Sequence, residues 1–340
     1  MKIKENGFKV LNGMSLGIVV ALIPGAIFGQ LTKLFDYSLL QNAFDLSTAL
    51  MCFMIGICIA IQYKFDGIST MSLALATFIS GGAFKGVNDE GMLMVKGTGD
   101  VINAALGAIL ALLIIKYLDP RLKTYKLLVL PVVSIVIVTI ITNFTAQPVS
   151  LITYNIGQVI SLFTSLQPLV MSILLALSFS LIIISPLSTV AIALLISISG
   201  LSSGAANLGI VGTSFTLALL SYKENGLGCA LVHFIGSPKI QMANFIKRPI
   251  MFIPSLFSAF LCGIISYLFA IQGTPISAGF GISGLIGPLA HLSSEGFTSF
   301  NLFIVLIAFV ILPIIISISS MYLFRNILKL VKPEDYKINI

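Results

Sequence analysis

The sequence predicts an all-α, polytopic membrane protein of about ten transmembrane helices, with re-entrant hairpins and an inverted repeat. Three observations predict it: long apolar runs almost free of charge, Lys and Arg gathered between the runs and at the ends, and glycine-rich polar breaks inside the apolar sequence. The chain is 57% hydrophobic and 9% charged over 340 residues, whereas a soluble domain carries about 25% charged residues. One water-soluble core of this size could not bury that much apolar surface. Lipid is therefore the solvent, and a span of roughly 20 apolar residues fits the chain about ten times.

The candidate spans are 9–31, 46–62, 68–82, 101–117, 127–143, 149–165, 168–184, 187–201, 205–221, 249–271 and 302–323. The first follows a charged start (Lys2, Lys4, Glu5, Lys9) and has no small-residue cleavage site, so it reads as a span and not as a signal peptide. Runs 226–236 and 275–292 are short or rich in glycine. They read as re-entrant hairpins or broken helices, because irregular backbone at membrane depth survives only where protein or a watery cavity satisfies it. The Lys and Arg pattern places both termini in the cytoplasm. After four crossings the chain meets Lys116, Arg121, Lys123 and Lys126, and the tail carries Arg325, Lys329, Lys332 and Lys337. Lys239, Lys247 and Arg248 join that side if 226–236 crosses or half-crosses.

One membrane domain is expected over 1–340, with repeat halves 10–126 and 127–250 and a C-terminal portion, 250–325, of helices and a re-entrant segment. The repeat rests on Ile68-Ser69-Thr70, Ala74-Leu75 and Ile79-Ser80-Gly81, which recur 119 residues later as Leu187-Ser188-Thr189, Ala193-Leu194 and Ile198-Ser199-Gly200. An odd number of spans separates the copies, which gives them opposite orientation, as in transporters whose substrate site lies where the repeats meet.

Several function classes are excluded. The net charge of +7 follows from cytoplasmic loops, so no nucleic-acid partner is expected. Cys52, Cys58, Cys229 and Cys262 lack metal-type spacing, and neither disulfide, metal nor cofactor is expected. There is no phosphate-binding Walker loop and no zinc-protease helix, and the few intramembrane charges argue against an ion pump.

Polar residues in an apolar chain are costly, so each cluster is a functional candidate. The first runs from Gly81 through Asn88, Asp89 and Glu90 to Lys96, Asp100 and Asn103. It reads as a ligand loop, or as an exposed loop with Lys85, Asp89 and Glu90 solvated and Asp100 capping the next helix. The second, 199–213, contains Asn207 and Thr213, which suit sugar hydroxyls; its Gly, Ala and Ser equally suit close helix packing. The third joins His233, Gln241, Asn244, Lys247 and Arg248 with the run 279–288, His291 and Glu295. Histidine and carboxylate can orient a sugar hydroxyl or take its proton, or the histidines can be satisfied by backbone. The candidate ligand contacts are thus Asn88, Asp100, Asn103, Asn207, Thr213, His233, Gln241, Asn244, His291 and Glu295, with no catalytic residue assigned.

Four stretches carry a family resemblance. They are Gly17-Ile18-Val19-Val20-Ala21-Leu22-Ile23-Pro24-Gly25-Ala26, Gly97-Thr98-Gly99-Asp100-Val101-Ile102-Asn103, Ile240-Gln241-Met242-Ala243-Asn244-Phe245-Ile246-Lys247-Arg248-Pro249 and Ala278-Gly279-Phe280-Gly281-Ile282-Ser283-Gly284-Leu285-Ile286-Gly287. With them the chain resembles the enzyme IIC membrane components of the sugar phosphotransferase system, in their stand-alone form. The resemblance implies a permease of the bacterial cytoplasmic membrane, commonly a homodimer. It implies a carbohydrate bound among re-entrant loops and phosphate supplied by a cysteine of a separate B protein. The chain carries no A or B domain and lacks the Gly-Ile-Thr-Glu motif of glucose-type members, so transport without phosphorylation is an equal expectation. Two other readings stand beside transport: a ligand sensor that keeps the fold, and a membrane enzyme acting on lipid.

Overall fold

The computed structural model describes residues 2–34, 38–95 and 97–338; Lys96, in the first polar cluster, lies outside them. The architecture is helical, as the sequence predicts, with one short hairpin of strands. The chain divides into two compact units, Met1–Gly25 with Thr32–Ile152, and Ala26–Leu31 with Thr153–Asn339.

The first unit takes in most of α1 (Lys2–Leu34), then α2 (Ser38–Ala49), α3 (Met51–Gln62), α4 (Gly67–Ser80), strands β1 (Phe84–Val87) and β2 (Leu93–Val95), α5 (Val101–Leu122) and the first part of α6 (Lys126–Phe163). Gly13 and Gly17, four apart on one face of α1, bring its backbone onto α3. A Cβ at Gly13 would stand 2.6 Å from the Ile59 Cα, and one at Gly17 2.5 Å from the Ile55 Cα. Small residues at this spacing are a recurrent device for close packing in lipid. Helices α3, α4 and α5 pack together. Asp66 caps α4 through the Ser69 amide and also pairs with Lys126.

Three sequence expectations are refined here. The segment expected to begin at residue 46 begins at Ser38 and bends by 54° between α2 and α3; Gln41, Asn42 and Asp45 had masked its helical start. The loop expected at 82–99 contains an antiparallel hairpin. Expected spans 127–143 and 149–165 form one continuous helix of 38 residues, running through Pro131 and Pro148. At 1.5 Å per residue α6 is about 57 Å long, nearly twice a hydrocarbon core of about 30 Å.

Among the described residues five helices are long and apolar enough to cross a membrane, or six if α2 and α3 form one bent span. The run Val101–Phe163 is a single one of these five, although the sequence divides it into three.

The second unit is organised around α9 (Leu201–Ile235), against which α7 (Pro168–Ile184), α11 (Phe252–Leu268) and α14 (Leu312–Met321) pack. The most apolar window of α9 is 94% buried, while that of the run Ser299–Ile327, containing α13 (Ser299–Leu306) and α14, is 22% buried. A helix apolar on all sides yet largely uncovered by protein has its partner in lipid. The remaining elements are α8 (Thr189–Leu195), α10 (Met242–Lys247) and α12 (Ile286–Glu295). Gly226 interrupts α9 with φ 75° and ψ 179°, a conformation open to glycine. The chain turns back there, and the Phe234 ring stacks on Phe215 at 5.0 Å. The glycine-rich stretch 226–236 is thus the returning arm of a helical hairpin.

Candidate functional site

The second unit contains a partly buried stretch of irregular backbone, 269–285, between α11 and α12. Its main-chain polar groups need partners, and they find them on α8 and α9. Gly200 and Gly273 exchange two backbone hydrogen bonds of 2.8 and 3.0 Å. The Ser203 hydroxyl donates to the Thr274 carbonyl at 2.8 Å, and the Thr189 hydroxyl to that of Gly279 at 2.9 Å. Asn207 is fully buried, and its carbonyl oxygen accepts from the amides of Gly281 at 3.0 Å and Gly279 at 3.4 Å. The Ser283 hydroxyl donates to the Ile235 carbonyl at 2.7 Å, on the returning arm.

His291, on α12, is 2% exposed. Its Nδ1 accepts from the Gln272 amide at 3.0 Å, so in the neutral ring Nε2 carries the proton. That Nε2–H is buried with no hydrogen-bond partner. His233 is the converse case: Nδ1 lies 2.9 Å from the Cys229 carbonyl and 3.2 Å from that of Ala230, so Nδ1 donates. Its buried Nε2 is an acceptor, also unpartnered. His291 adjoins residues beside Gly200, at the start of α9, whereas His233 lies on the returning arm next to Phe234.

The other candidates of the second unit serve the scaffold. Thr213 bonds to the Gly209 carbonyl at 2.8 Å and to Ser180 at 2.6 Å, fully buried. Gln241 and Asn244 bond to each other at 2.7 Å and hold the C-terminal tail. Gln241 donates to the Tyr336 carbonyl and Asn244 to the Lys337 carbonyl, both at 2.9 Å. Asn225 adds a donor to Tyr336 and an acceptor for the Ile338 amide, both at 2.8 Å. Arg248 pairs with Asp335, and burial pushes the Tyr336 phenol above its usual range. Glu295 is exposed at the end of α12, its carbonyl accepting from Asn301 at 2.8 Å.

In the first unit Asp100 and Asn103 meet at one wall of a cavity of about 450 Å³. Asp100 caps α5, accepting from the amides of Ile102 at 2.8 Å and Asn103 at 3.0 Å. The Asn103 amide donates to the Ser80 carbonyl at 2.6 Å, and its oxygen accepts from Thr145 at 2.6 Å. Lys85, Thr142, Asn143 and Ser150 also line this cavity. Asn88 stands apart in the hairpin turn, where its side chain accepts from the amides of Met92 at 2.7 Å and Glu90 at 3.1 Å.

The sequence reading missed Thr142, Asn143, Thr145 and Ser150. The signal is present, since 142–150 is the most polar stretch of an otherwise apolar run, but the expected spans end at 143 and resume at 149, which splits it between two helices. It also missed Gln272, whose backbone amide fixes the His291 ring, because a lone Gln after an apolar run carries no periodic signature.

Long apolar helices, two runs of them largely uncovered by protein, together with a glycine-hinged hairpin and a partly buried irregular segment, define an integral membrane protein. A comparison with protein families matches residues 8–338 to the family described as Phosphotransferase system, EIIC. The chain belongs to that family, the sugar-permease component of the phosphotransferase system. A comparison with curated proteins matched none of them.

Proposed function

We propose that this chain carries a small neutral carbohydrate across the bacterial cytoplasmic membrane and binds it beside His291, where the segment 269–285 meets the start of α9. The carrying observation is the His291 Nε2–H, a buried donor without a partner. Such a group costs about 1–3 kcal/mol when left unpaired, and a sugar hydroxyl supplies the missing acceptor. The segment beside it and the start of α9 carry uncharged polar groups, the Gln272 side chain and the hydroxyls of Ser203, Thr274 and Ser277, while the Glu295 carboxylate stands one turn further along α12. Neutral donors and acceptors suit a polyhydroxy solute better than an ion.

In this reading the repeat halves move against one another to alternate access, the protein works as a homodimer with both termini cytoplasmic, and any phosphate comes from a separate B protein. The test is uptake of a labelled sugar panel into proteoliposomes, with and without a phosphorylated B protein. His291→Ala is expected to lower uptake of the transported sugar tenfold or more, about 1.4 kcal/mol, while the melting midpoint stays within a few degrees. Uptake equal to wild type in His291→Ala sinks the placement of the site. Ligand-dependent thermal shifts without uptake of any sugar would make the chain a sensor.

A further inference from the structure

Lys239 lies in the short 3-10 turn Pro238–Gln241, between the returning arm of α9 and α10, and is 6% exposed. Among the described residues no carboxylate pairs with it. Its ammonium instead reaches the interruption between α7 and α8, where Pro186 follows the last residues of α7. There Nζ donates to three main-chain carbonyls: Ser185 at 2.5 Å, Leu187 at 2.6 Å and Ile182 at 3.4 Å.

The composition of this seat is unusual for a lysine. All three partners are acceptors, and none carries a formal charge. They lie at and just beyond the C-terminal end of α7, where the helix dipole places partial negative charge; the Ile182 carbonyl also accepts from the Ser185 amide at 3.0 Å and the Ser185 hydroxyl at 2.8 Å, so the Ser185 and Leu187 carbonyls are the close acceptors for Nζ. Burial pulls the amine down to about 7, and the acceptor count works the other way. A neutral amine offers two N–H groups to three carbonyls and leaves its lone pair facing oxygen, whereas an ammonium offers three. Converging carbonyls at the end of an interrupted helix are also how membrane proteins coordinate monovalent metal ions.

We propose that the carbonyls of Ile182, Ser185 and Leu187 form a monovalent-cation seat, which Lys239 fills with its own tethered ammonium. The interruption between α7 and α8 thus holds the lysine ammonium where a free cation would otherwise sit, and the seat takes Na+ or a small ammonium ion only when the lysine side chain is removed.

The test uses the full-length chain purified in detergent, with Lys239→Ala, Lys239→Met and Lys239→Arg. Melting midpoints are compared in NaCl, KCl, methylammonium chloride and choline chloride at equal ionic strength. Wild type and Lys239→Arg are expected to be indifferent to the cation. Lys239→Ala should melt lower in choline and recover as Na+ or methylammonium replaces it. Lys239→Met, which fills the space without charge, should melt lower and show no recovery. A Lys239→Ala midpoint that is blind to cation identity, or a Lys239→Met protein as stable as wild type, overturns the proposal. Should Lys239→Ala not fold, the other two variants decide: Arg folding where Met does not supports the seat, and equal behaviour of the two overturns it.

Discussion

Asn103 and Asn207 are both buried amides within the first two turns of a helix, each following a glycine-rich break, yet their surroundings differ in kind. Asn207 accepts from two backbone amides of an irregular segment that has no other way to satisfy them. Asn103 bonds to the Ser80 carbonyl and the Thr145 hydroxyl, beside a cavity of about 450 Å³ that Ser80 also borders. The first amide substitutes for secondary structure that the chain does not form. The second ties three helices together at a wet surface. What distinguishes them is whether water can replace the amide once it is gone.

The largest expected effect follows directly. Asn207→Ala strands the Gly279 and Gly281 amides in a dry interior, at a cost of roughly 2–4 kcal/mol, read as a lower melting midpoint in detergent. Asn103→Ala should cost only about 1 kcal/mol, because water in the cavity can bond to the Ser80 carbonyl. Equal losses in the two variants would break the comparison.

The tail clasp sharpens the comparison from a third place. Gln241 and Asn244 also use side-chain amides on main-chain groups, but their partners are the carbonyls of Tyr336 and Lys337. The Tyr336 carbonyl keeps the Asn225 donor, and the Lys337 carbonyl belongs to an exposed residue that water can reach, so neither is left as unsatisfied as a buried N–H. Gln241→Ala with Asn244→Ala is therefore expected to cost roughly 1–2 kcal/mol and to speed tryptic cleavage after Lys337. Unchanged cleavage would show that Tyr336 and Arg248 hold the tail unaided.

The smallest effect is electrostatic. The Lys126 hydrogen bond, followed by the Ser69 amide, holds the Asp66 carboxyl below its usual range. A depressed folded-state pKa adds stability above the unfolded value of about 4, and this is lost as pH falls through the folded one. Asp66→Asn keeps the cap but not the charge, so the two midpoints should differ slightly at neutral pH and converge at acid pH. A gap that persists at low pH would assign the effect to packing. With Asp66 about half exposed, solvent keeps this contribution small.

The candidate site was only partly legible beforehand. Asp100 and Asn103 are candidates from the sequence and line one cavity, whereas Thr142 and Ser150 in its wall and Thr145, the partner of Asn103, are not, because the sequence splits the long helix that carries them into two spans. His291 was named without the Gln272 amide that fixes its ring. Gln241 and Asn244 were chosen for their chemistry, and that chemistry proved to be engaged with the tail, ninety residues away in sequence and invisible to any local pattern.

Composition by itself determined the solvent and hence the helical class, since a chain so poor in charge has to satisfy its backbone internally. Glycine at 226 and the Gly-rich run 279–287 likewise announced where helices would fail. Only the tertiary structure decided which amides bond to backbone and which border open space, because a side chain's partner depends on elements far away in sequence. For the same reason it alone placed Lys239 against the end of α7, where an ammonium meets carbonyls from residues more than fifty positions earlier.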